Sequence, residues 1–360
     1  MPEAYSGDAR FAAEWDELAT RVSATPFHRP GWFKAWWTAF GSGRPEVLRV
    51  RRAGRLVGVL PVARSRGRLA GLTNWHTFVF GPVAEDEQAW TDVVDKALRG
   101  GLWSVELGNL VDDDAQQVVA LARDRGFRAH RSPLQRSPFI PVDRPFDDYL
   151  KHRDQRWLRQ LQKRRDKLAR AGTLELTVHD GSENLPELLA EAFRIEALGW
   201  KSENGTAILS RPDTTRFYTD LAGWAAEQGI LRLALMRLDG VGIAADLALE
   251  QDGVHYFLKT GFDPAHRKLA PGLILRHDMI ERAFDLGLRS YELLGSAEQY
   301  KLQWTDQVHE IDHVLAYPPS AAGRSAMLAS KGLEVARLTA AAAKHVGTAG
   351  RDALKRRMSR

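Results

Sequence analysis

Phe262–Ile274, FDPAHRKLAPGLI, leads out of an apolar run and into a helical one through a basic turn closed by Pro271 and Gly272. A helix that begins there offers first-turn N–H groups without intrahelical acceptors and the positive end of its dipole, with His266, Arg267 and Lys268 adding charge nearby. Pro271 sets a helix-compatible φ, and Gly272 lets a ligand approach the backbone. The segment reads as a strand-to-helix loop suited to a pyrophosphate, with His266, Arg267, Lys268, Pro271, Gly272 and Leu273 as its candidate contacts. Many strand-to-helix loops share this spacing, so the surrounding residues decide its meaning.

Before the loop, apolar runs at Leu231 to Leu238, Ile243 to Glu250 and Val254 to Phe262 are separated by Asp239-Gly240 and Asp252-Gly253, which predicts three antiparallel strands. After it come a helix from Pro271 to Leu286 closed by Gly287, a strand from Arg289 to Leu293 and a strand from Val308 to Tyr317. Upstream lie a basic helical stretch from Lys151 to Arg170, a strand from Leu174 to His179, and helices near Asn184 to Trp200 and Thr214 to Gln228. The first half has the same rhythm. Helical stretches from Phe11 to Thr25 and Pro30 to Phe40 precede a hairpin, Glu46 to Arg52 and Leu56 to Arg64, broken at Ala53-Gly54. A strand from Thr77 to Val83, a helix from Glu87 to Leu98 and a strand from Trp103 to Leu107 follow, an order that suggests a parallel pair with a helical crossover. The aromatics Trp32, Phe33, Trp36 and Trp37 recur at helical spacing and predict a core-facing stripe.

The 360 residues exceed what one core usually fills. The expected fold class is α/β (α+β), with two tandem lobes of mixed, mostly antiparallel sheets flanked by helices. The expected domains are an N-terminal lobe over 1–145, a C-terminal lobe over 146–319 and a basic, Ala-rich tail over 320–360. Apolar residues at 44% and charged residues at 27% are ordinary for a globular chain. No cysteine is present, which excludes disulfides, thiolate metal sites and cysteine nucleophiles together. With no signal-like N-terminus and no long apolar span, a cytoplasmic location is expected. Formal charge is only +5, yet the cations gather in the 151–170 stretch and in the tail, either of which can meet an anion. The tail could lie peripherally on an acidic membrane surface.

Further chemistry-bearing residues fall in three places. Glu196 to Ile208, EALGWKSENGTAI, leaves a helix and carries Trp200 and Lys201 into a turn where an anionic or planar acceptor could meet them. Tyr256, Lys259 and Asp263 lie on or beside one strand and Glu292 on the strand after the helix. Polar groups there ask for partners, either structural ones or an acceptor that must lose a proton, with Glu292 and Asp263 as candidate bases. Tyr300, Lys301 and Trp304 follow Gly295 across a polar turn. His309 to His313, HEIDH, matches a zinc signature that works only on a helix, where the two imidazoles converge. Its context favours a strand, which would hold them roughly 13 Å apart, so no metal is expected.

Taken in order, Pro30-Gly31-Trp32 through Trp36-Trp37, Glu196 with Gly199-Trp200-Lys201 and Gly205 to Ile208, Tyr256 to Asp263, Pro271-Gly272, and Gly295 with Tyr300-Lys301 and Trp304 resemble the GNAT-type acyltransferases. The resemblance is to the branch shared by CelD-like proteins and the FemABX peptidyltransferases, with BioF2-like acetyltransferase domains, and it covers roughly Thr25 to Ala316. It implies two GNAT-like lobes, the second holding a donor's phosphates at the 266–273 loop. The first, which lacks a Pro-Gly loop before Glu87, would shape the acceptor cleft. It further implies an acyl-CoA co-substrate, in the simplest case acetyl-CoA, direct attack by an amine, and Tyr300 as the acid for the leaving thiolate. Glu196, Trp200, Lys201, Tyr256, Lys259 and Lys301 become candidate acceptor contacts. The acceptor expected from the resemblance is a small molecule or sugar nucleotide, such as an amino sugar of envelope or polysaccharide synthesis. An aminoacyl-tRNA-dependent peptidyltransferase is the nearest alternative, although the long helical arm associated with tRNA use is absent and nucleic acid is not the expected partner. A non-catalytic binding protein of the same fold is the third.

Overall fold

The computed structural model describes residues 9–99, 101–199 and 207–330. The first lobe contains α1 (Ala9–Arg21), α2 (Pro30–Phe40), β1 (Arg44–Arg52), β2 (Arg55–Ser65), β3 (Arg68–Gly71), β4 (Val83–Ala84), α3 (Glu87–Ala97), β5 (Ser104–Val111), α4 (Asp112–Asp124) and β6 (Arg128–Pro141). The second contains α5 (Phe146–Lys151), α6 (Gln155–Ala171), β7 (Leu174–His179), α7 (Leu185–Ala197), α8 (Pro212–Glu227), β8 (Leu231–Leu238), β9 (Val241–Gln251), β10 (Val254–Phe262), α9 (Pro271–Asp285), β11 (Ser290–Glu292), α10 (Gln299–Leu302) and β12 (Val308–Tyr317). A mixed α/β architecture with sheet strands flanked by helices is what the residue pattern predicts.

Turn chemistry fixes much of this locally. Ala53-Gly54, Arg66-Gly67, Asp239-Gly240 and Asp252-Gly253 each place two consecutive residues at positive φ. That is the two-residue hairpin geometry that matches strand twist, and pairs Arg52↔Arg55, Ser65↔Arg68, Leu238↔Val241 and Gln251↔Val254 close over the four turns. The Asp86 carboxylate accepts from Ala89 N–H to start α3, and Asp154 accepts from Arg156 and Trp157 N–H to start α6.

The lobes do not carry separate sheets. One 12-stranded sheet runs β1-β2-β3-β5-β12-β6-β11-β10-β9-β8-β7, with β4 paired to β2. Sequence order puts 308–317 in the second lobe, yet β12 lies between β5 and β6, antiparallel to both. β6 is the joint, since its C-terminal end pairs with β11. Two parallel pairs form, β3 with β5 and β10 with β11; the pair expected between 77–83 and 103–107 does not, β3 taking the place beside β5.

The Thr77 to Val83 strand does not form: only Val83–Ala84 pairs, and 77–82 is irregular. Side chains take the ladder's place there. Asn74 Oδ1 accepts from His76 N–H at 2.9 Å, Asn109 Nδ2 donates to Thr77 O at 2.8 Å, and Phe80 N–H reaches Asn109 O.

An aromatic seam joins the lobes. Trp32, Phe33, Trp36 and Trp37 are buried, as the stripe predicts, and Trp32 meets Phe217 of α8 edge-on at 5.3 Å. Phe27 meets Tyr256 of β10 at the same distance. A Cβ on Gly31 would fall 2.0 Å from the Trp224 indole nitrogen, so α2 and α8 touch where only glycine fits.

Gly261 is a still tighter point. A Cβ there would lie 2.3 Å from the Glu196 Cα, so β10 and the end of α7 meet backbone to backbone. Gly261→Ala must push α7 off the strand, and overpacking of this kind costs about 3 kcal/mol. Denaturant unfolding is expected to show that loss with an unchanged m-value. A midpoint equal to wild type would contradict the close approach.

Candidate active site

β10 and β11 part company after three residue pairs, Val254↔Ser290, His255↔Tyr291 and Tyr256↔Glu292. Beyond Glu292 the chain turns away, Leu293 N–H bonding Pro138 O on β6, while β10 continues to Phe262. On its other side β10 is bulged between Phe257 and Lys259, where Leu258 has no partner on β9. A wedge opens between the strands. The resulting cavity of about 660 Å³ is lined by Phe257 to Phe262, by Leu293 and Leu294, by the start of α9, and by Trp75 and Phe78 of the first lobe. Its size suits a small-molecule or cofactor site.

The 262–274 loop forms one end. Asp263 accepts from Ala265 N–H at 2.8 Å and caps a 3-10 turn, Pro264–Leu269. Ala270 takes a left-handed φ of 52°, and Pro271 and Gly272 occupy the first two helical positions of α9. Pro271 has no N–H, so the Gly272 N–H is the first the helix presents, and helix geometry gives it no intrahelical acceptor. Arg267, Ala270, Gly272 and Leu273 line the cavity. His266, Lys268 and Pro271 belong to the same turn but not to the lining, and His266 Nδ1 stands 3.8 Å from Asp263.

At the opposite wall, Leu294 and Gly295 both adopt positive φ. Lys301, buried, braces this turn by donating to Leu294 O at 2.6 Å and Ser296 O at 3.2 Å, with Glu298 at 3.5 Å. Tyr300 lies beside it in the lining. Burial, then the charge of Glu298, holds its phenol protonated well above the usual tyrosine range. Glu196 lines a third side, buried, its Oε2 accepting from Ile208 N–H at 2.9 Å. Lys259 reaches into the same space.

Two carboxylates considered as bases face elsewhere. Strand alternation puts Tyr291 toward α9 and sends Glu292 to the opposite face, where it accepts from Ser290 Oγ at 3.0 Å and meets His309 Nε2 at 3.2 Å. Asp263 is engaged as the cap of its own turn. Tyr256 packs in the seam against Phe27 rather than in the lining. Trp200 and Lys201 lie outside the described residues.

His309 and His313 sit on strand β12, as their context predicts, and serve separate carboxylates: His313 Nε2 is 3.1 Å from Glu106. A different group, His277, Asp278 and Glu281, brings three ligand atoms within 4.8 Å of one another, but Arg165 already sits on Asp278.

Arg276 is a lining residue the sequence did not single out. It lies one turn beyond Gly272 on α9, 2% exposed, with its guanidinium 3.1 Å from Asp246 Oδ2, 2.5 Å from the Tyr291 hydroxyl and over the Phe257 ring. Its i+4 spacing from Gly272 was the available signal. Arg164 of the basic helix also reaches the lining.

The family model of the GNAT acetyltransferase domain matches residues 153–302, the stretch from the start of α6 to the end of α10. The chain carries a GNAT acetyltransferase domain. Its second lobe is therefore an acyltransferase domain, and the splayed strand pair with the loop before α9 lies inside the matched region. No curated protein matches the chain significantly.

Solved structures extend the likeness of fold beyond the GNAT domain to both lobes. FemX is similar with a TM-score of 0.59 at 12% identity, over 84% of this chain and 95% of that one. A conserved protein of unknown function from Bacteroides thetaiotaomicron gives 0.57 at 10%, over 85% and 97%. The C-terminal domain assigned to a lysylphosphatidylglycerol synthetase of Agrobacterium fabrum gives 0.54 at 14%, over 89% and 96%.

Proposed function

We propose that the second lobe transfers an acyl group from acyl-CoA, in the simplest case acetyl-CoA, to an amine held between the lobes. The single observation that carries this is the parting of β10 from β11 at Tyr256–Glu292 directly beside the bare N-terminus of α9. A diphosphate fits the Gly272 and Leu273 end, where dipole and Arg267 favour negative charge. The thioester would then lie along β10 beyond the point where it leaves β11, and backbone N–H groups there can polarise its carbonyl.

The amine nitrogen attacks the thioester carbon, the C–S bond breaks, and the thiolate takes a proton. Tyr300, kept protonated by its surroundings, is suited to give that proton. Glu196 is the buried carboxylate of the lining and the better placed acceptor of the amine's proton, since neither Glu292 nor Asp263 lines the cavity. An acetyl-CoA-using enzyme belongs in the cytoplasm, and a chain without cysteine is at home there. Among the described residues no helix is long and apolar enough to cross a membrane. A peripheral contact would be made through the 320–360 tail, of which residues 331–360 lie outside the described ones.

Tyr300→Phe removes the donor proton while keeping the ring. Steady-state assays of CoA release are expected to show kcat reduced by about 10²-fold with KM for acetyl-CoA unchanged. A wild-type kcat in this variant would remove Tyr300 from the chemistry.

One observation favours the FemABX-like alternative, an aminoacyl-tRNA donor. Arg156, Arg159, Lys163, Lys167 and Arg170 follow one another at steps of three or four along α6, all exposed, a ridge of about 21 Å. A nucleic-acid backbone fits such a ridge. Competition decides: uncharged tRNA displacing acetyl-CoA at submicromolar concentration and low salt would favour this reading, and failure to displace it supports acyl-CoA.

A further inference from the structure

The first lobe places one large aromatic face in the cavity of the second. Trp75 is 59% exposed, yet the loop that carries it is held firmly on both sides. His76 is buried beneath it, stacked on Phe40 at 5.0 Å with an interplanar angle of 10°. Its Nδ1 lies 3.0 Å from the Tyr218 hydroxyl on α8, and its backbone N–H is taken by Asn74. Thr77 N–H bonds Asn74 O. Burial, with the charge of Lys259 adding to it, pushes His76 down to about 3, so this anchor is neutral at physiological pH. An exposed indole on a fixed loop is a preorganised surface and not a tethered plug.

Lys259 completes it. From the bulged part of β10, its ammonium reaches to 4.8 Å from the Trp75 ring and 5.3 Å from the Tyr218 ring. Tyr218 is itself held neutral, raised well above the usual range by burial and then by Glu196. An indole and the ammonium poised over its ring thus line the same cavity as the α9 loop. A sugar ring lays its C–H face on an indole, and an ammonium takes a phosphate or carboxylate.

We propose that Trp75 and Lys259 form the acceptor subsite and select an anionic amino sugar, the ring stacking on Trp75 and the anion meeting Lys259. This rests on the reading of the cavity as an acyl-transfer site. The indole lies on the opposite lobe from the donor loop, so acceptor selection would be the contribution of the first lobe.

The test uses the full chain saturated with acetyl-CoA and three amines: glucosamine 6-phosphate with ring and anion, glucosamine with the ring alone, and 2-aminoethyl phosphate with the anion alone. Calorimetry is expected to show glucosamine 6-phosphate binding at least about tenfold more tightly than either of the others, the difference that one satisfied charged or stacking contact makes. Lys259→Met should bring its affinity down to that of glucosamine, and Trp75→Ala down to that of 2-aminoethyl phosphate. Acetyl-CoA affinity should be the same in both variants. Equal or absent binding of the three amines, or variants that bind like wild type, overturns the subsite while leaving the donor reading in place. Failure of the wild type to bind acetyl-CoA overturns the donor reading and the subsite with it.

Discussion

Gly272→Asp is expected to weaken acetyl-CoA binding by about 100-fold or more, equivalent to about 2.7 kcal/mol, without destabilising the fold. Gly272 is the second residue of α9, and a carboxylate in a first turn interacts favourably with the helix dipole by about 0.3–1 kcal/mol. The protein alone should be as stable as wild type or slightly more so. A bound diphosphate would meet that same carboxylate at contact distance with a like charge. Gly272→Ala is the control, since its methyl would stand 3.3 Å from the Phe262 ring, a contact the ring can yield to. Calorimetric titration with thermal unfolding of the same samples separates the two effects. Wild-type affinity in the Asp variant would move the donor away from α9.

The largest loss of stability is expected at Arg276. Arg276 and Asp246 are 2% and 1% exposed and face each other in the second lobe's core. Bringing two charges there cost their hydration, and the pair is held by mutual attraction and the Tyr291 hydroxyl. Arg276→Met takes the facing guanidinium away from the buried Asp246 carboxylate, at a cost of about 3–5 kcal/mol. The double replacement, Arg276→Met with Asp246→Leu, removes both charges and should restore most of that loss. Urea unfolding of the two singles and the double measures the coupling. If the double variant is no more stable than Arg276→Met, the pair is not the reason the arginine is needed.

Local chemistry made half of this molecule legible. The Asp-Gly turns and the apolar runs between them delimit β8 and β10 to the residue, and Pro271-Gly272 announces the start of α9, because each depends on neighbours in sequence. β6 gave no such signal. Its residues, RAHRSPLQRSPFIP, contain three prolines and no sustained alternation, and it is a strand because β12, far along the chain, pairs with it from Val308 to Tyr317. Of the site, the α9 loop, Tyr300, Lys301, Glu196 and Lys259 could be marked from sequence. That Glu292 faces His309 is a matter of strand parity, which β11, three residues long, does not declare. Trp75 enters only because the lobes fold against each other through Phe27, Trp32 and Phe217. No spacing within the chain encodes that.

The claim on which the rest depends is that acyl-CoA lies in the wedge between β10 and β11 with its diphosphate at the start of α9. A crystal structure of the full chain with acetyl-CoA tests it directly. The account predicts diphosphate oxygens at hydrogen-bonding distance from the Gly272 N–H, and the thioester beside Leu258 to Thr260 within reach of the Tyr300 hydroxyl. Acetyl-CoA bound against the first lobe's strands, or against the outer face of α6 with the wedge empty, would contradict it.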